Sequence, residues 1–336
     1  MISILAKRSS KLNVVLALVA ATFLCFTNRP LVATISRQMQ AMPEADLSLY
    51  EKWVEDIAAK MEDSSTKDVY YSMSNFKYSG RFEELLSHSL SCFPKAVLAI
   101  VALDTETYDW FTARDVPTLL MLDGTIKERV MSGKFKGSLA LLKKDWTVYF
   151  SEMDIYWRST PALNSTLDFI VSEHKYSPNG EMNIGFFVAR PTAEIIALFS
   201  RLSQWVDLPL TMPFANNSTC HAFDQKVMDL AVRGKVQSNA FISGTDPNCI
   251  LPKDAIDQLL PPSPLNWDYL SAKVLEHWDI THLDSDELAG VHIWGGMGGA
   301  PKQIEWAMAN FVGTGKGALS VLTNEEGTDI VSQTTA

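Results

Sequence analysis

Residues 148–157 read VYFSEMDIYW, an apolar run interrupted by two carboxylates that stand one residue apart. The run up to Ser151 predicts a buried β-strand, and Glu152 and Asp154 follow at its end. Residues i and i+2 of an extended segment point to the same side, so the two carboxylates can converge on one hard cation. Mg²⁺ and Mn²⁺ prefer oxygen ligands and commonly bridge substrate phosphates. An acidic pair at a strand end is also often only a solvated turn, and these residues alone leave both interpretations open.

The sequence around this run alternates between strand-like and helix-like segments. Short β-rich or apolar runs predict strands at residues 69–73, 96–103, 118–122 and 146–151. Helical spacing of apolar residues occurs at 82–90, 105–113 and 137–144. This order predicts an α/β fold with a Rossmann-like, mostly parallel sheet flanked by helices. Ligands of such sheets bind outside the carboxyl ends of the strands, which is where Glu152 and Asp154 are expected.

The charge of the chain limits the kinds of partner it can have. The 336 residues carry a net charge of −10, and the pI is about 5.1. Proteins hold nucleic acid with clustered Lys and Arg, so no nucleic-acid partner is expected for a chain this acidic. If the protein binds a phosphorylated ligand, we expect a bound cation to neutralise part of the phosphate charge.

The N-terminal segment predicts a membrane anchor. Lys7, Arg8 and Lys11 precede the apolar run 12–26, and a basic flank of this kind keeps the N-terminus in the cytoplasm. The run is shorter than the roughly 20 residues that usually span a bilayer, so a cleaved signal peptide is the alternative. We expect an uncleaved anchor, which makes the chain a single-pass type II protein of the Golgi or ER membrane.

In either case the rest of the chain is expected to be lumenal, and sequons at Asn164, Asn216 and Asn217 agree with a glycoprotein in that compartment. The predicted parts of the chain are a cytoplasmic tail and signal anchor at 1–35, a stem at 36–67, a folded domain at 68–312 and a disordered tail at 313–336.

Four motifs follow one another within the predicted folded domain. They are SEMDIYW at 151–157, NIGFFVARPT at 183–192, DQ at 224–225 and HIWGG at 292–296. In these motifs the chain resembles the nucleotide-diphospho-sugar transferase family, and in particular the family 77-like arabinosyl-, xylosyl- and galactosyltransferases of plant and algal cell walls. The segment VALDTETYDWF at 101–111 is similar to the second-strand segment of that family. The resemblance covers about residues 68–312.

The resemblance implies a GT-A-type fold with a DXD-like motif and a hexosyl- or pentosyltransferase that uses Mn²⁺ or Mg²⁺. The donor would be a nucleotide diphosphate sugar, a UDP-sugar, and the acceptor a glycan or glycoprotein, with transfer that retains the anomeric configuration. Asp154 is implied as the direct metal ligand, and His292 as the imidazole that completes the metal sphere. Glu152 is implied to contact the ribose, or the metal through water, because the family usually has Asp there. A lone His is more often structural, and that alternative stays open for His292.

The same resemblance implies further contacts with the donor, at Ser72, Asn75, Asp104, Glu152, Asn183, Gly185 and Lys302. The strand-end residues Ser72 and Asn75 would lie near the nucleotide base. Asn183 and Gly185 would line the sugar pocket. Lys302, which follows the Gly-rich loop 295–299, would meet the diphosphate.

Asp224 and Gln225 are the implied catalytic residues, in contact with the reacting sugar. Capping of the following helix is the alternative role for Asp224. The atypical Glu152 also leaves room for a second class of protein, a catalytically inactive lumenal protein of the same fold that binds glycans or nucleotide sugars. A metal-dependent phosphohydrolase is a third class, and the order of the motifs argues against it.

Overall fold

The computed structural model describes residues 44–62, 67–75, 92–124, 126–174, 182–206, 211–213, 219–221, 224–233, 264–277 and 286–292. The predicted anchor, the helix at 82–90, the Gly-rich loop with Lys302 and the C-terminal tail lie outside these residues. Within the described part, no helix is both long and apolar enough to cross a membrane.

The described residues form twelve strands and five α-helices. The strands are β1 (Asp68–Ser74), β2 (Val97–Ala102), β3 (Thr118–Leu120), β4 (Thr147–Ser151), β5 (Ile155–Trp157), β6 (Phe169–Glu173), β7 (Met182–Ala189), β8 (Thr211–Pro213), β9 (Thr219–His221), β10 (Trp267–Leu270), β11 (Leu275–His277) and β12 (Gly290–His292). The helices are α1 (Glu51–Glu62), α2 (Thr105–Thr112), α3 (Ile126–Leu142), α4 (Ala193–Val206) and α5 (Asp224–Arg233).

A seven-stranded sheet in the order β10-β6-β7-β4-β1-β2-β3 forms the centre of the fold. Its strands pair in parallel except for β7, which runs antiparallel to both β4 and β6. The prediction of a mostly parallel sheet is therefore confirmed. Because β1, β2 and β4 are parallel neighbours, their carboxyl ends meet at one edge of the sheet, and we refer to it as the carboxyl edge.

A second, three-stranded sheet in the order β11-β12-β5 continues directly from the first. The chain leaves the large sheet at Ser151, turns through residues 152–154 and enters the small sheet at Ile155. The Glu-x-Asp pair thus stands at the junction of the two sheets. Strands β8 and β9 form a separate antiparallel pair.

Apolar side chains cover both faces of the central sheet. One face packs against α1, α3, α4 and α5 in a single large cluster of buried residues. The other face packs against the small sheet through a group of aromatic rings around Phe93 and Trp157, and against α2 through Phe111. Strand β1 is buried along almost its whole length, as expected for a central strand covered on both faces.

Helix α3 begins at Ile126, well before residue 137, where the sequence analysis placed the start of a helix. Gly133 and Gly137 are poor helix formers, and with the charged residues between them they weaken the apolar periodicity of the first half. Packing against the sheet outweighs that weak local preference. Met131 and Phe135, one turn apart, are both buried in the core.

Helix α1 lies in the segment predicted to be a stem, and it packs into the core of the domain. Trp53 and Ile57 are buried at 1% and 0% exposure, and they contact the same cluster as β1 and α3. The indole of Trp53 donates to the carbonyl of Pro117 at 3.2 Å, which connects α1 to the start of β3. This part of the segment therefore belongs to the folded domain.

Substituting Trp53→Ala should lower the free energy of unfolding by about 3–5 kcal/mol, because it removes a buried indole and leaves a cavity. Leu49→Ala, two residues before α1, is the matched control, since Leu49 is 53% exposed. Urea unfolding followed by circular dichroism measures both changes. Equal, small effects of the two substitutions would contradict the assignment of α1 to the core.

Candidate active site

The turn that carries Glu152 and Asp154 is held by backbone hydrogen bonds. The amide of Glu152 donates to the carbonyl of Gly185 on β7 at 2.7 Å, and the amide of Ile155 donates to the carbonyl of Glu152 at 3.1 Å. The first bond fixes the turn to a buried strand, and the second closes it. Both carboxylates are therefore presented at the carboxyl edge from a well-anchored backbone.

His292 reaches this turn through the small sheet. Strand β12 pairs antiparallel with β5, and His292 lies opposite Ile155 in that pairing. Its Nε2 atom is 3.3 Å from Asp154 Oδ1 and 3.5 Å from Glu152 Oε2, and its side chain is only 5% exposed. Sheet pairing thus joins an imidazole and two carboxylates that are far apart in sequence.

These three residues form a donor set that fits a divalent cation. Glu152, Asp154 and His292 each offer one ligand atom, and the three atoms lie within 4.8 Å of one another. Carboxylate oxygens suit Mg²⁺ and Mn²⁺, and a neutral imidazole nitrogen is a common ligand of transition metals. The set occupies the place where the Glu-x-Asp pattern predicts a metal.

Gly185 leaves the space on which this arrangement depends. A Cβ atom at residue 185 would lie 2.6 Å from Cε1 of His292 and 2.9 Å from both Glu152 Oε2 and Asn183 Oδ1. These distances are too short for any side chain, so only glycine allows β7 to pass this close to the three residues. The side chain of Asn183 lies against the same residue, since its Oδ1 accepts from the backbone amide of Gly185 at 2.8 Å.

A buried lysine of α3 completes the site, and sequence reasoning did not find it. The ammonium of Lys134 contacts Glu152 Oε1 at 2.5 Å and Asp224 Oδ2 at 2.7 Å, and its side chain is 3% exposed. It therefore joins the Glu-x-Asp turn to the first residue of α5. A signal was present, because Lys134 falls at helical spacing with the buried Met131 and Ser138 once α3 is known to begin at Ile126.

The charges at the site shift each other's ionisation. Burial alone would lower the pKa of Lys134, but the carboxylates of Asp224 and Glu152 outweigh it and raise the pKa above its ordinary value. Burial opposes ionisation of Glu152, yet Lys134 and His292 hold its pKa well below the usual range. Burial would also lower the pKa of His292, but Asp154 and Glu152 raise it to about 10. A cation that takes the imidazole as a ligand must therefore displace a proton.

Asp224 occupies the start of α5 with both oxygens engaged. Its Oδ1 accepts from the amide of Gln225 at 2.8 Å, and its Oδ2 accepts from Lys134. Asp224 is the first residue of the helix and stands beside the site, and its bond to Gln225 spans one residue instead of the two or three of a helix cap. Gln225 follows on the same helix turn and is half-buried.

Four further residues are predicted to contact the nucleotide-sugar donor, namely Ser72, Asn75, Asp104 and Lys302. Ser72 is buried, and its hydroxyl donates to the carbonyl of Ser151 at 2.6 Å, directly before the turn. Asn75 follows β1 at the carboxyl edge. Asp104 follows β2 at that edge and caps α2, accepting from the amide of Thr107 at 2.8 Å. Lys302 lies outside the described residues.

The fold thus brings together Glu152, Asp154, His292, Asn183 and Gly185. Through Lys134 it adds Asp224. Asn75 and Asp104 stand at neighbouring strand ends of the same edge.

Comparison with known proteins identifies the class. The family model described as nucleotide-diphospho-sugar transferase matches residues 96–297, which is more than half of the chain. The chain belongs to this family. A sequence search of curated proteins finds no match.

Solved structures similar to this chain include three glycosyltransferases. One, involved in the glycosylation of the major capsid of PBCV-1, aligns with a TM-score of 0.41 and 9% identity over 71% of this chain and 98% of that one. The galactosyltransferase LgtC, solved with donor and acceptor sugar analogues, aligns with a TM-score of 0.34 and 10% identity over 73% of this chain and 96% of that one. The glycosyltransferase GlyE of Streptococcus pneumoniae TIGR4 aligns with a TM-score of 0.32 and 11% identity over 62% of this chain and 46% of that one.

Substituting Gly185→Ala should weaken binding of Mn²⁺ by at least about tenfold, because the new Cβ displaces the imidazole of His292 from the other two ligand atoms, and about 1.4 kcal/mol corresponds to tenfold in affinity. Gly137→Ala on α3 is the matched control, since a Cβ there would meet its neighbours at 3.7 Å or more. Titration calorimetry with MnCl₂ measures both variants. Unchanged Mn²⁺ affinity in a folded Gly185→Ala protein would show that these residues do not hold the cation.

Proposed function

We propose that this protein is a metal-dependent glycosyltransferase that moves a sugar from a UDP-sugar or another nucleotide diphosphate sugar to a glycan or glycoprotein acceptor. The observation that carries the proposal is the convergence of Glu152, Asp154 and His292 at the carboxyl edge, with ligand atoms within 4.8 Å of one another. Membership of the nucleotide-diphospho-sugar transferase family agrees with it.

The electrostatics of the site support the need for a cation. Three carboxylates, those of Glu152, Asp154 and Asp224, face one lysine ammonium and one imidazole. The chain as a whole carries a net charge of −10. A diphosphate would be repelled from such a site unless a cation offset the negative charge. Mn²⁺ or Mg²⁺, when bound, supplies Lewis-acid stabilisation of the charge that develops on the departing diphosphate.

The two acids of the motif differ in what their oxygens already contact. Glu152 gives Oε1 to Lys134 and has Oε2 near His292, so both its oxygens are engaged by protein groups. Asp154 approaches His292 through Oδ1 and makes no ion pair with Lys134 among the described contacts. We therefore assign direct coordination to Asp154 and His292, and an orienting or indirect role to Glu152.

Lys134 and Asp224 are suited to hold the transferred sugar. The ammonium of Lys134 fixes the Asp224 carboxylate at Oδ2, and the backbone amide of Gln225 fixes it at Oδ1. A carboxylate held on both sides is a well-oriented acceptor for sugar hydroxyls.

The stereochemistry and the cellular setting are further parts of the proposal. The family 77-like motifs favour a retaining hexosyl- or pentosyltransferase, in which the acceptor hydroxyl attacks from the face of the leaving group and its proton passes to the departing phosphate. The basic flank and apolar run at the N-terminus favour a type II protein of the Golgi or ER membrane with a lumenal catalytic domain. These two points rest on the sequence alone.

Substituting Asp154→Asn should lower sugar-transfer activity by more than about 100-fold. Charges about 4 Å apart interact by roughly 4 kcal/mol at an effective dielectric near 20, and about 1.4 kcal/mol corresponds to tenfold in rate. Glu152→Asp should retain or raise activity, because it restores the residue usual in the family motif. Activity is measured as UDP release from a panel of UDP-sugars with Mn²⁺.

The matched control is Asp115→Asn. Asp115 is an 85% exposed aspartate far from the site, and its positive φ of 58° is one that Asn tolerates. Wild-type turnover by Asp154→Asn would refute the metal assignment. Metal-dependent binding of UDP-sugars without transfer to any acceptor, in wild type and in Glu152→Asp, would favour the inactive binding protein instead.

A further inference from the structure

The ammonium of Lys134 is held in the site by its own contacts, but its position also depends on where α3 lies. The side chain is 3% exposed and reaches two carboxylates that belong to different elements, the turn after β4 and the start of α5. A small shift of α3 would lengthen one of these contacts or both. The groups that fix α3 at this turn therefore matter for the site.

Two buried tyrosines contact the backbone of α3 at consecutive residues. The hydroxyl of Tyr71 lies 3.0 Å from the carbonyl oxygen of Lys134, 3.2 Å from that of Gly133 and 2.8 Å from the hydroxyl of Ser138. The hydroxyl of Tyr50 lies 2.9 Å from the carbonyl oxygen of Ser132. A carbonyl oxygen has two lone pairs, so each can accept such a bond and still take part in the helix.

The ring of Tyr71 has little freedom to move. Tyr71 is fully buried at the centre of β1, where its neighbours in the pairing are Ala99 on β2 and Phe150 on β4. Its ring packs against Trp53 at 5.7 Å and against Phe150 at 5.0 Å between centroids. Burial raises the pKa of Tyr71, so the hydroxyl stays neutral and donates. The hydroxyl is thus held in place at the centre of a buried strand of the sheet.

The geometry points to Tyr71 as a positioning residue that, together with Ser138, fixes the turn of α3 from which Lys134 reaches Glu152 and Asp224. The link is direct, because the bonded carbonyl belongs to Lys134 itself. Strand β1 and α3 are also in close contact here, since a Cβ on Gly133 would lie 2.4 Å from Cε of Met73. Catalytic groups lose efficiency steeply when they are displaced by about 1 Å.

The inference rests on the proposed function where it is tested by sugar-transfer activity. A second readout, the affinity for Mn²⁺, does not depend on that activity. Lys134 places a positive charge beside the carboxylates of the site, so it repels a cation that binds there. Lys134→Met should therefore tighten binding of Mn²⁺. If Tyr71 acts through Lys134, Tyr71→Phe should shift the Mn²⁺ affinity in the same direction by a smaller factor.

The experiment is a double-mutant cycle on the whole protein, in which Tyr71→Phe is made in wild type and in Lys134→Met. In wild type, we expect Tyr71→Phe to lower kcat by roughly tenfold or more, with little change in the KM for the acceptor. In the Lys134→Met background, it should change neither kcat nor the Mn²⁺ affinity further. Ser138→Ala should reproduce the effect of Tyr71→Phe and should not add to it.

Tyr50→Phe is the matched control, because it removes another tyrosine hydroxyl bonded to the same helix but to Ser132 instead of Lys134. It should leave both readouts near wild type even if it lowers the melting temperature as much as Tyr71→Phe does.

If Lys134→Met does not fold, the cycle is run with Lys134→Arg, in which Tyr71→Phe should have an effect different from its effect in wild type. Equal effects of Tyr71→Phe in both backgrounds, or equal effects of the two tyrosine variants, would overturn the inference. Wild-type protein that binds Mn²⁺ but transfers no sugar would refute only the proposed function. The Mn²⁺ affinities of the variants would still test the role of Tyr71 in that case.

Discussion

The repulsion between like charges at the carboxyl edge is the constraint around which the site is organised. Glu152, Asp154 and Asp224 converge there from two elements, and three carboxylates this close repel one another in a partly buried site unless positive charges offset them. Lys134 and His292 supply these charges at contact distances of 2.5–3.5 Å. A bound cation would add further positive charge beside the same three carboxylates.

The two-sheet architecture explains how such a site is built from distant segments. The large sheet delivers the acids at the end of β4, and the small sheet carries β12 back to the same turn. The antiparallel β7 passes behind them with a glycine where a side chain would collide with three site residues. Helices α3 and α5 then approach from the other face of the large sheet, and their charged residues meet at one ion pair.

Local patterns in the sequence were sufficient for the strands and for the acidic pair. The apolar run of β4 ends at the predicted place, and the β-α-β order yields a mostly parallel sheet. Local patterns could not show that Lys134 is buried, because a lysine is buried only where partners from elsewhere in the chain offset its charge. Those partners lie in a turn and a helix that follow it in the sequence. The sequence predicts a stem for the segment of α1 for a similar reason. The pattern of an amphipathic helix shows that one face is apolar but not which part of the protein that face packs against. The place of His292 in the site came from the order of family motifs and not from its local sequence.

If the proposed function is correct, this site holds a nucleotide diphosphate only together with a divalent cation. Titration calorimetry of UDP into the purified protein, with Mn²⁺ and then with EDTA, tests this most directly. We expect binding in Mn²⁺ that weakens by at least about 100-fold in EDTA, because a cation–phosphate interaction of several kcal/mol is lost. Equal affinity for UDP with and without the cation would show that the site does not depend on a metal.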